Sequence, residues 1–418
     1  MSVRDTTQHV LVIGAGIVGL STAIWLQRAG QQVTLLDRIG PASGTSYGNA
    51  GILASASVVP VPVPGLLAKA PGMLLNPNKP LFLKWRYLPR LLPFLIPYLR
   101  QATAARVDDI TQSLTELLHD SPDQHLALAR GTPAEEYIKP GSYLFGYKDK
   151  AAFEADSFAW DLRTKRGFTF HELDADALAD YDPALKGRFG YGVECPGHGL
   201  ITDPGAYVKA LAAHFTDQGG EIRIASLTGF DLGDGMACAA HTDQGDIAAD
   251  SFVVATGAWS GAIASALGIT LRLESERGYH VEFVDPSIIL KSPVMVASGK
   301  FVASSMNGRL RCAGVVEFGG LDAPPSAAPF ELLKRQITAL FPDLTYSRID
   351  TWMGHRPATP DSIPLIGATP RAPNVYVGYG HQHVGLTGGP KTGRWLAQMI
   401  TKQPVNTDLS AFAPGRRL

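Results

Sequence analysis

The chain has 418 residues, of which 45% are hydrophobic and 18% charged, and its formal net charge at pH 7 is -1. This composition is typical of a folded globular protein long enough for two domains, and the balanced charge removes the electrostatic case for nucleic-acid binding. Three widely spaced cysteines, Cys195, Cys238 and Cys312, form no ligand motif, so we expect no disulfide framework, no metal site and a reducing, cytoplasmic location.

The N-terminal region predicts a nucleotide-binding turn. Residues 1–8 are polar and show no secretory signal, and the apolar run that follows leads into a Gly-x-Gly-x-x-Gly motif at residues 14–19. Gly14 permits a tight turn, Gly16 lets the backbone approach a pyrophosphate, and Gly19 lets the following helix pack on the strand. The phosphate charge then lies at free N–H groups of the helix N-terminus.

The next strand is predicted at residues 32–37 and ends in a carboxylate. Asp37 lies about 20 residues beyond the glycines, where an acidic side chain accepts hydrogen bonds from an adenosine ribose. Residues 43–51 are small and glycine-rich, which favours close passage of the backbone by a flat ring. Taken alone, such a Ser/Gly/Asn run is also typical of a surface loop.

Residues 60–100 are rich in proline and in large apolar side chains, and the stretch 81–99 is the longest apolar one. It also contains three basic residues and three prolines: Lys84, Arg86, Arg90, Pro89, Pro93 and Pro97. It therefore cannot cross a bilayer as one straight helix. Two interpretations remain open, a surface that touches a membrane interface and a helical cover packed on the protein's own substrate domain.

After residue 200 the strand-and-helix pattern resumes. Asp203 is placed to cap a helix with Pro204 at its first position, and Gly219-Gly220 ends that helix. Strands are predicted at residues 221–225 and 251–257. We expect this block to continue the nucleotide-binding domain after an insertion.

Residues 271–345 contain alternating strands at 278–283, 294–297, 300–303 and 310–316, which predicts a mostly antiparallel sheet. The C-terminal region returns to the first pattern. A short strand at 374–378 precedes a glycine-rich loop at 380–389 and a helix predicted over 391–400. This arrangement suggests a second contact with the cofactor.

Five segments, in this order, resemble the FAD-dependent amino acid oxidoreductase family: residues 14–19, 43–51, 253–259, 354–361 and 380–393. Within the family the chain is most similar to the D-amino acid dehydrogenase branch, with glycine oxidase and sarcosine oxidase as more distant relatives. The resemblance implies an α/β protein in which a Rossmann-like FAD-binding domain is interleaved with a mostly antiparallel α+β substrate domain. We assign residues 1–59, 191–270 and 346–418 to the FAD-binding domain, and 60–190 and 271–345 to the substrate domain.

The motifs and the resemblance together predict FAD as the cofactor. We favour non-covalent binding, although His381 and His383 leave covalent attachment open. The expected FAD contacts are Gly14, Gly16, Ile17, Val18, Gly19, Asp37, Arg38, Thr45, Ser46, Asn49, Ala50, Gly51, Leu227, Thr256, Gly257, Trp259, Gly385, Leu386 and Thr387.

Arg356 is the predicted substrate-binding residue. It lies in an apolar, proline-stiffened segment, where an unpaired charge is costly and an anionic partner is needed. A substrate α-carboxylate, held by two parallel hydrogen bonds, is one such partner, and this is the role that the resemblance implies. An internal salt bridge to Asp361 is the alternative.

Two further side chains are candidate catalytic residues. Tyr279 and His280 point to opposite faces of a strand, and we expect Tyr279 to face the pocket and His280 to be a buried core histidine. His383, or its neighbour His381, is expected to line the pocket near the flavin.

The resemblance implies oxidative deamination, in which an amino acid or secondary amine loses its α-hydrogen as hydride to the flavin and the resulting imine is hydrolysed to a keto acid. An oxidase that uses oxygen, of the amino acid, glycine or sarcosine type, is an alternative, as are a flavin-binding subunit of a larger amine-oxidising complex and a nicotinamide dehydrogenase. The electron acceptor is a quinone, oxygen or another compound, and a quinone would require peripheral membrane contact through residues 81–99. The sequence does not name the substrate or its chirality.

Overall fold

The computed structural model describes residues 7–66, 72, 76, 78 and 80–418. The polar leader lies largely outside the described residues, as does the middle of the proline-rich stretch. The strands are β1 (His9–Ile13), β2 (Gln32–Asp37), β3 (Ile52–Leu53), β4 (Leu81–Leu83), β5 (Ile138–Tyr147), β6 (His171–Asp174), β7 (Tyr191–Ile201), β8 (Glu221–Ile224), β9 (Leu227–Gly233), β10 (Met236–Thr242), β11 (Ile247–Ala248), β12 (Ser251–Val254), β13 (Glu274–Val284), β14 (Val294–Val296), β15 (Phe301–Met306), β16 (Arg309–Phe318), β17 (Arg348–Ala358), β18 (Leu365–Ala368) and β19 (Val375–Tyr379). The helices are α1 (Ile17–Arg28), α2 (Leu88–Arg100), α3 (Ala104–Leu118), α4 (Ser121–Ala129), α5 (Lys150–Glu154), α6 (Ser157–Lys165), α7 (Ala175–Tyr181), α8 (Pro204–Asp217), α9 (Gly261–Ala264), α10 (Ala327–Leu340) and α11 (Gly385–Ile400).

The first sheet has six strands in the order β18-β19-β12-β1-β2-β8, and all neighbours except β18 and β19 are parallel. Its central strands are buried on both faces, which explains why they read as continuous apolar runs. Helices α1, α8 and α11 contribute to the core on one face, and the small sheet β9–β11 contributes to the core on the other. This is the predicted Rossmann-like arrangement.

The predicted start of α8 is confirmed. The Asp203 side chain accepts a hydrogen bond from the Ala206 nitrogen at 3.0 Å, and Pro204 occupies the first helical position, where no backbone N–H is required. The helix ends just before Gly219, whose φ of +85° favours glycine.

The predicted start of the last helix at Lys391 is wrong, because α11 begins at Gly385 and takes up half of the expected glycine loop. Its glycines serve helix packing. A Cβ atom at Gly393 would lie 2.5 Å from the Thr22 nitrogen, so α11 and α1 cross with their backbones nearly in contact. The low helix propensity of glycine is outweighed here by a close approach that a larger residue would prevent.

The second sheet has ten strands and is mostly antiparallel, as predicted, with the main order β17-β13-β16-β15-β14-β5-β7-β3. The four strands predicted between residues 278 and 316 are β13 to β16. Strands β7 and β17, which the boundaries at 191 and 346 place in the first domain, pair within this second sheet. We therefore propose that the substrate domain includes both strands.

The apolar stretch 81–99 is not one helix. It forms β4, a short 3-10 turn and α2, and α2 contains Pro93 and Pro97. The buried face of α2, which includes Phe94 and Tyr98, packs against Phe318, so the stretch covers its own substrate domain. In the part of the chain that is described, no helix combines the length and apolar character needed to cross a membrane.

Candidate functional site

A cavity of about 1130 Å³ lies where the carboxyl ends of the parallel strands meet the second sheet. Its lining includes every predicted FAD contact except Gly19 and Gly51, together with the three predicted catalytic residues, Arg356, Tyr279 and His383. The structure thus brings residues from seven separate stretches of the chain to one space. The volume of this cavity is somewhat above the usual range of about 300–1,000 Å³ for ligand sites in proteins.

The glycine turn between β1 and α1 has the geometry of a pyrophosphate site. Gly14 has a φ of +109°, and a Cβ atom there would lie 2.4 Å from the Ala255 oxygen. A Cβ atom at Gly19 would lie 1.7 Å from the Gly14 oxygen, so this glycine permits close packing of helix on strand. Gly16, the N-cap residue of α1, has no side chain to cap the helix, and the Ile17 nitrogen donates to the Ser46 hydroxyl at 3.1 Å, so the N–H groups left for an anion are those of the next residues in the first turn. These residues fit the phosphates of FAD.

Asp37 holds the same turn together. Its Oδ2 accepts a hydrogen bond from the Ala15 nitrogen at 2.8 Å, and its Oδ1 accepts from Ile39 and Gly40, both at 2.9 Å. A carboxylate has about four acceptor positions, so one remains for a ribose hydroxyl. Beside it, the Arg38 guanidinium lies 3.8 Å from the centroid of the Trp259 ring and forms one wall of the cavity.

Two glycines of the 43–51 segment have no room for a side chain within the protein. A Cβ atom at Gly48 would lie 1.8 Å from the indole of Trp352. Gly51 has a φ of +78°, and a Cβ atom there would lie 2.4 Å from the Ile201 oxygen. The expected passage of this segment beside a flat ring stays a prediction, and Gly44, Thr45, Ser46, Gly48, Asn49 and Ala50 line the cavity.

Arg356 extends from β17 into the cavity. Its Nη1 donates to the Val315 oxygen at 2.9 Å, and its guanidinium covers Gly278, where a Cβ atom would lie 2.3 Å from Cζ. Asp361 is paired with Arg416 instead, at 2.7 Å, so the alternative of an Asp361–Arg356 salt bridge is wrong. Within the described residues, no carboxylate oxygen lies within 4.0 Å of the Arg356 nitrogens.

Glu276 is a site residue that the sequence analysis missed. It lies directly opposite Arg356 in the register of β13 and β17, is buried, and lines the cavity. Burial raises the pKa of its carboxyl group to about 7, against the opposing effect of Arg356. The feature that points to Glu276 is the alternation of charged residues along β13, a strand whose residues are all buried.

Tyr279 contributes to the cavity wall, but its polar end is engaged elsewhere. The hydroxyl donates to Glu317 at 2.6 Å, and the ring packs edge-on against Phe330. Its catalytic role stays a prediction. His280 is a buried histidine whose Nδ1 lies 3.1 Å from the Gly48 oxygen, and burial lowers its pKa to about 3.

The two histidines before α11 differ in environment. His381 is buried, with its Nε2 at 2.9 Å from the Thr392 hydroxyl. His383 keeps part of its surface open to the cavity. Burial, with a smaller contribution from Arg356, lowers the pKa of His383 to about 4, so the imidazole is neutral at pH 7.

Comparison with known proteins agrees with this geometry. A family model described as FAD dependent oxidoreductase matches residues 9–399. The chain is 40% identical over 418 residues to a D-amino-acid oxidase of Bradyrhizobium diazoefficiens, an alignment that covers 98% of this chain and 99% of the relative. It is 31% identical to a D-amino acid dehydrogenase of Allorhizobium ampelinum, over 97% and 99% of the two chains. The crystal structure of glycine oxidase from Geobacillus kaustophilus has the same fold, with a TM-score of 0.76 at 19% identity over 99% of this chain and all of that one.

Proposed function

This chain belongs to the FAD dependent oxidoreductase family, and on that premise we propose that it oxidises a D-amino acid whose α-carboxylate is held by Arg356. The observation that carries the proposal is a guanidinium in the FAD cavity that has no carboxylate within 4.0 Å among the described residues. The names of two relatives that align over nearly the whole chain support the D configuration.

When bound, FAD supplies the acceptor for the hydride that leaves the α-carbon. The glycine turn and the N-terminus of α1 hold its pyrophosphate, and Asp37 accepts from its ribose. Residues Gly385, Leu386 and Thr387 line the same cavity at the N-terminal end of α11. The protein's contribution to the chemistry is to orient the substrate and to set the charge around it.

Arg356 orients the substrate through two parallel hydrogen bonds to its carboxylate. Glu276 lies on the neighbouring strand, with a Cβ–Cβ separation of about 5 Å expected for directly opposite residues. A carboxyl group with a pKa of about 7 is suited to accept a proton from the substrate ammonium group, and the amine is then neutral when hydride leaves. Water completes the reaction by converting the imine to a keto acid and ammonia.

The test is Arg356→Met in the FAD-loaded protein, with Arg348→Met as the matched control. Arg348 lies on the same strand but is exposed and paired with Asp350. Removing the partner of a buried carboxylate costs about 2–5 kcal/mol, so we expect the rate of anaerobic flavin reduction by D-amino acids to fall about 30-fold or more. FAD content, measured by absorbance, should be unchanged in both variants. Wild-type kinetics in Arg356→Met would contradict the proposal.

We also propose that the stretch 81–99 contacts a membrane surface, as electron delivery to a quinone would require. Trp85, Leu92 and Ile96 are exposed, and the chain carries no acidic residue between Lys84 and Val107. An exposed mixture of basic and large apolar groups suits the interface of an anionic bilayer. Other residues of this region, among them Leu91 and Leu95, line the FAD cavity. Under this proposal the electron acceptor that reoxidises the flavin is a lipid-soluble quinone, and oxygen is the alternative.

A further inference from the structure

We infer that the cavity contains a second anion-binding group, Arg163, and that the substrate is an acidic D-amino acid whose side-chain carboxylate binds there. This inference rests on the proposed function, because it takes Arg356 as the site of the α-carboxylate. It goes further by naming the class of side chain.

Arg163 lies on α6 and lines the cavity. Its guanidinium carbon is 4.5 Å from the centroid of the Trp160 ring and 5.3 Å from that of Phe145. Its Nε donates to the Ala56 oxygen at 3.1 Å. Its two Nη atoms make no hydrogen bond to any described residue, and no carboxylate oxygen in residues 7–66 or 80–418 lies within 4.0 Å of them.

This environment is unusual when compared with other arginines of the molecule. The fully buried Arg277 is paired with Glu317 at 2.7 Å, and Arg311 is paired with Glu282 at 2.8 Å. Arg166, one turn away from Arg163, is paired with Asp108 at 2.7 Å. A desolvated guanidinium is normally stabilised by a carboxylate of the protein, and Arg163 has none at contact distance.

The groups that surround Arg163 do not neutralise it. Asp156 also lines the cavity, but it lies 3.7 Å from the Lys300 ammonium group and accepts from the Tyr147 hydroxyl at 3.4 Å. Burial raises the pKa of the Tyr143 hydroxyl, and it raises the pKa of the Cys195 thiol to about 12, so both are uncharged at neutral pH. The positive charge therefore faces the cavity.

A carboxylate is the ligand that this arrangement fits best. The free Nη atoms of a guanidinium that lies beside two aromatic rings form the planar fork that binds a carboxylate in a bidentate manner. Tyr143, Phe145 and Met295 line the same part of the cavity and suit the methylene groups of a side chain. Arg163 and Arg356 line one continuous space, and the inference requires that a single substrate with two carboxylates spans the distance between them.

The experiment compares D-glutamate with its neutral analogue D-glutamine in anaerobic flavin reduction by the FAD-loaded protein. We expect wild type to prefer D-glutamate. In Arg163→Met, kcat/KM for D-glutamate should fall about 30-fold or more, whereas that for D-glutamine should change less than about 3-fold. Arg163→Lys should recover part of the preference, and Arg166→Met, at the residue that follows α6, should keep it.

A binding measurement makes the test independent of turnover and of folding. Glutarate, a dicarboxylate with no amino group to oxidise, should bind wild type and lose about 30-fold in affinity in Arg163→Met by calorimetry, in protein whose thermal unfolding midpoint has been checked. Equal rates with D-glutamate and D-glutamine in wild type, or parallel losses for both in Arg163→Met, would overturn this inference and leave the proposed function standing. Failure of every D-amino acid to reduce the flavin would overturn the proposed function itself and this inference with it.

Discussion

Glu276 and Arg356 lie directly opposite each other on two paired strands, yet the Arg356 guanidinium donates to the backbone oxygens of Val315 and Gly314 and not to the Glu276 carboxylate. Because its guanidinium is not paired with the Glu276 carboxylate, Arg356 is available to bind an anionic ligand. A buried glutamate without an ion pair keeps a raised pKa. The two residues together offer a cation for a carboxylate and a proton acceptor for an ammonium group, which are the two charges of an amino acid.

Glu276→Gln should alter the pH dependence of catalysis. With a pKa of about 7, Glu276 is protonated below neutrality, so we expect wild-type kcat/KM to rise from pH 6 to pH 8 and the rise to be absent in the variant. Glu274→Gln is the matched control. Glu274 is also buried on β13, but it accepts from the Tyr87 hydroxyl, so its variant should keep the rise, moved to lower pH because the Glu274 charge contributes to the raised pKa of Glu276. An unchanged profile in Glu276→Gln would remove Glu276 from proton transfer.

Glu276→Gln should also change how the stability of the folded protein depends on pH. The direction of this change follows from the raised pKa of Glu276. The folded-state pKa of Glu276 lies above the ordinary value of 4.5, so the folded protein binds more protons than the unfolded chain between about pH 4.5 and pH 7. Stability from this group is therefore lost as the pH rises through that window. The thermal unfolding midpoint of substrate-free Glu276→Gln, relative to wild type, should be higher at pH 8 than at pH 5. A difference that is constant across this range would contradict the raised pKa.

Asp37→Ala should weaken FAD retention and also destabilise the protein before FAD is added. Each hydrogen bond to a charged acceptor contributes about 1.5–3 kcal/mol, and Asp37 accepts from three backbone N–H groups in addition to the expected ribose. Asp37→Asn keeps one acceptor oxygen, so its FAD affinity and its stability should lie between those of Asp37→Ala and wild type. FAD affinity is measured by equilibrium dialysis and stability by thermal unfolding of the FAD-free protein. If neither quantity changes, Asp37 has no part in the site.

Gly278→Ala should displace Arg356. A Cβ atom at residue 278 would lie 2.3 Å from the guanidinium carbon, far inside contact distance, so the arginine has to move. We expect the KM for D-amino acids to rise and kcat to fall, with FAD content retained. Gly141→Ala is the control, because a Cβ atom there meets nothing within 4 Å. Equal kinetics in the two variants would mean that the position of Arg356 over Gly278 has no role in binding.

Membrane contact through residues 81–99 is tested by co-sedimentation with vesicles that contain phosphatidylserine. Wild type should pellet with the vesicles at low salt and less at high salt, since part of the attraction is electrostatic. Arg86→Glu combined with Trp85→Ser should abolish binding. Ile289→Ser, which removes a more exposed apolar side chain between β13 and β14, should not. Wild type that stays in the supernatant, with a reduced flavin that dissolved oxygen reoxidises rapidly, would favour the oxidase alternative.

The sequence alone determined those features that depend on neighbours along the chain. The turn at Gly14 and the cap at Asp203 are set by a few adjacent residues whose backbone preferences and hydrogen bonds are local. The order of parallel and antiparallel segments follows from hydrophobic periodicity, and the family resemblance predicted the FAD cofactor and a substrate-binding role for Arg356. The turn and the cap depend on residues that are close together in the sequence.

Which side chains contact each other over long sequence distances depends on the tertiary structure. Asp361 is five residues from Arg356 but pairs with Arg416, and Gly48 accommodates Trp352 from a distant strand. Glu276 faces Arg356 only because β13 and β17 pair in one register, and a shift of one residue would turn it to the other side of the sheet. Such contacts join residues far apart in sequence, and their identity depends on strand register and helix crossing. Those are set by packing of the whole core and not by local preference.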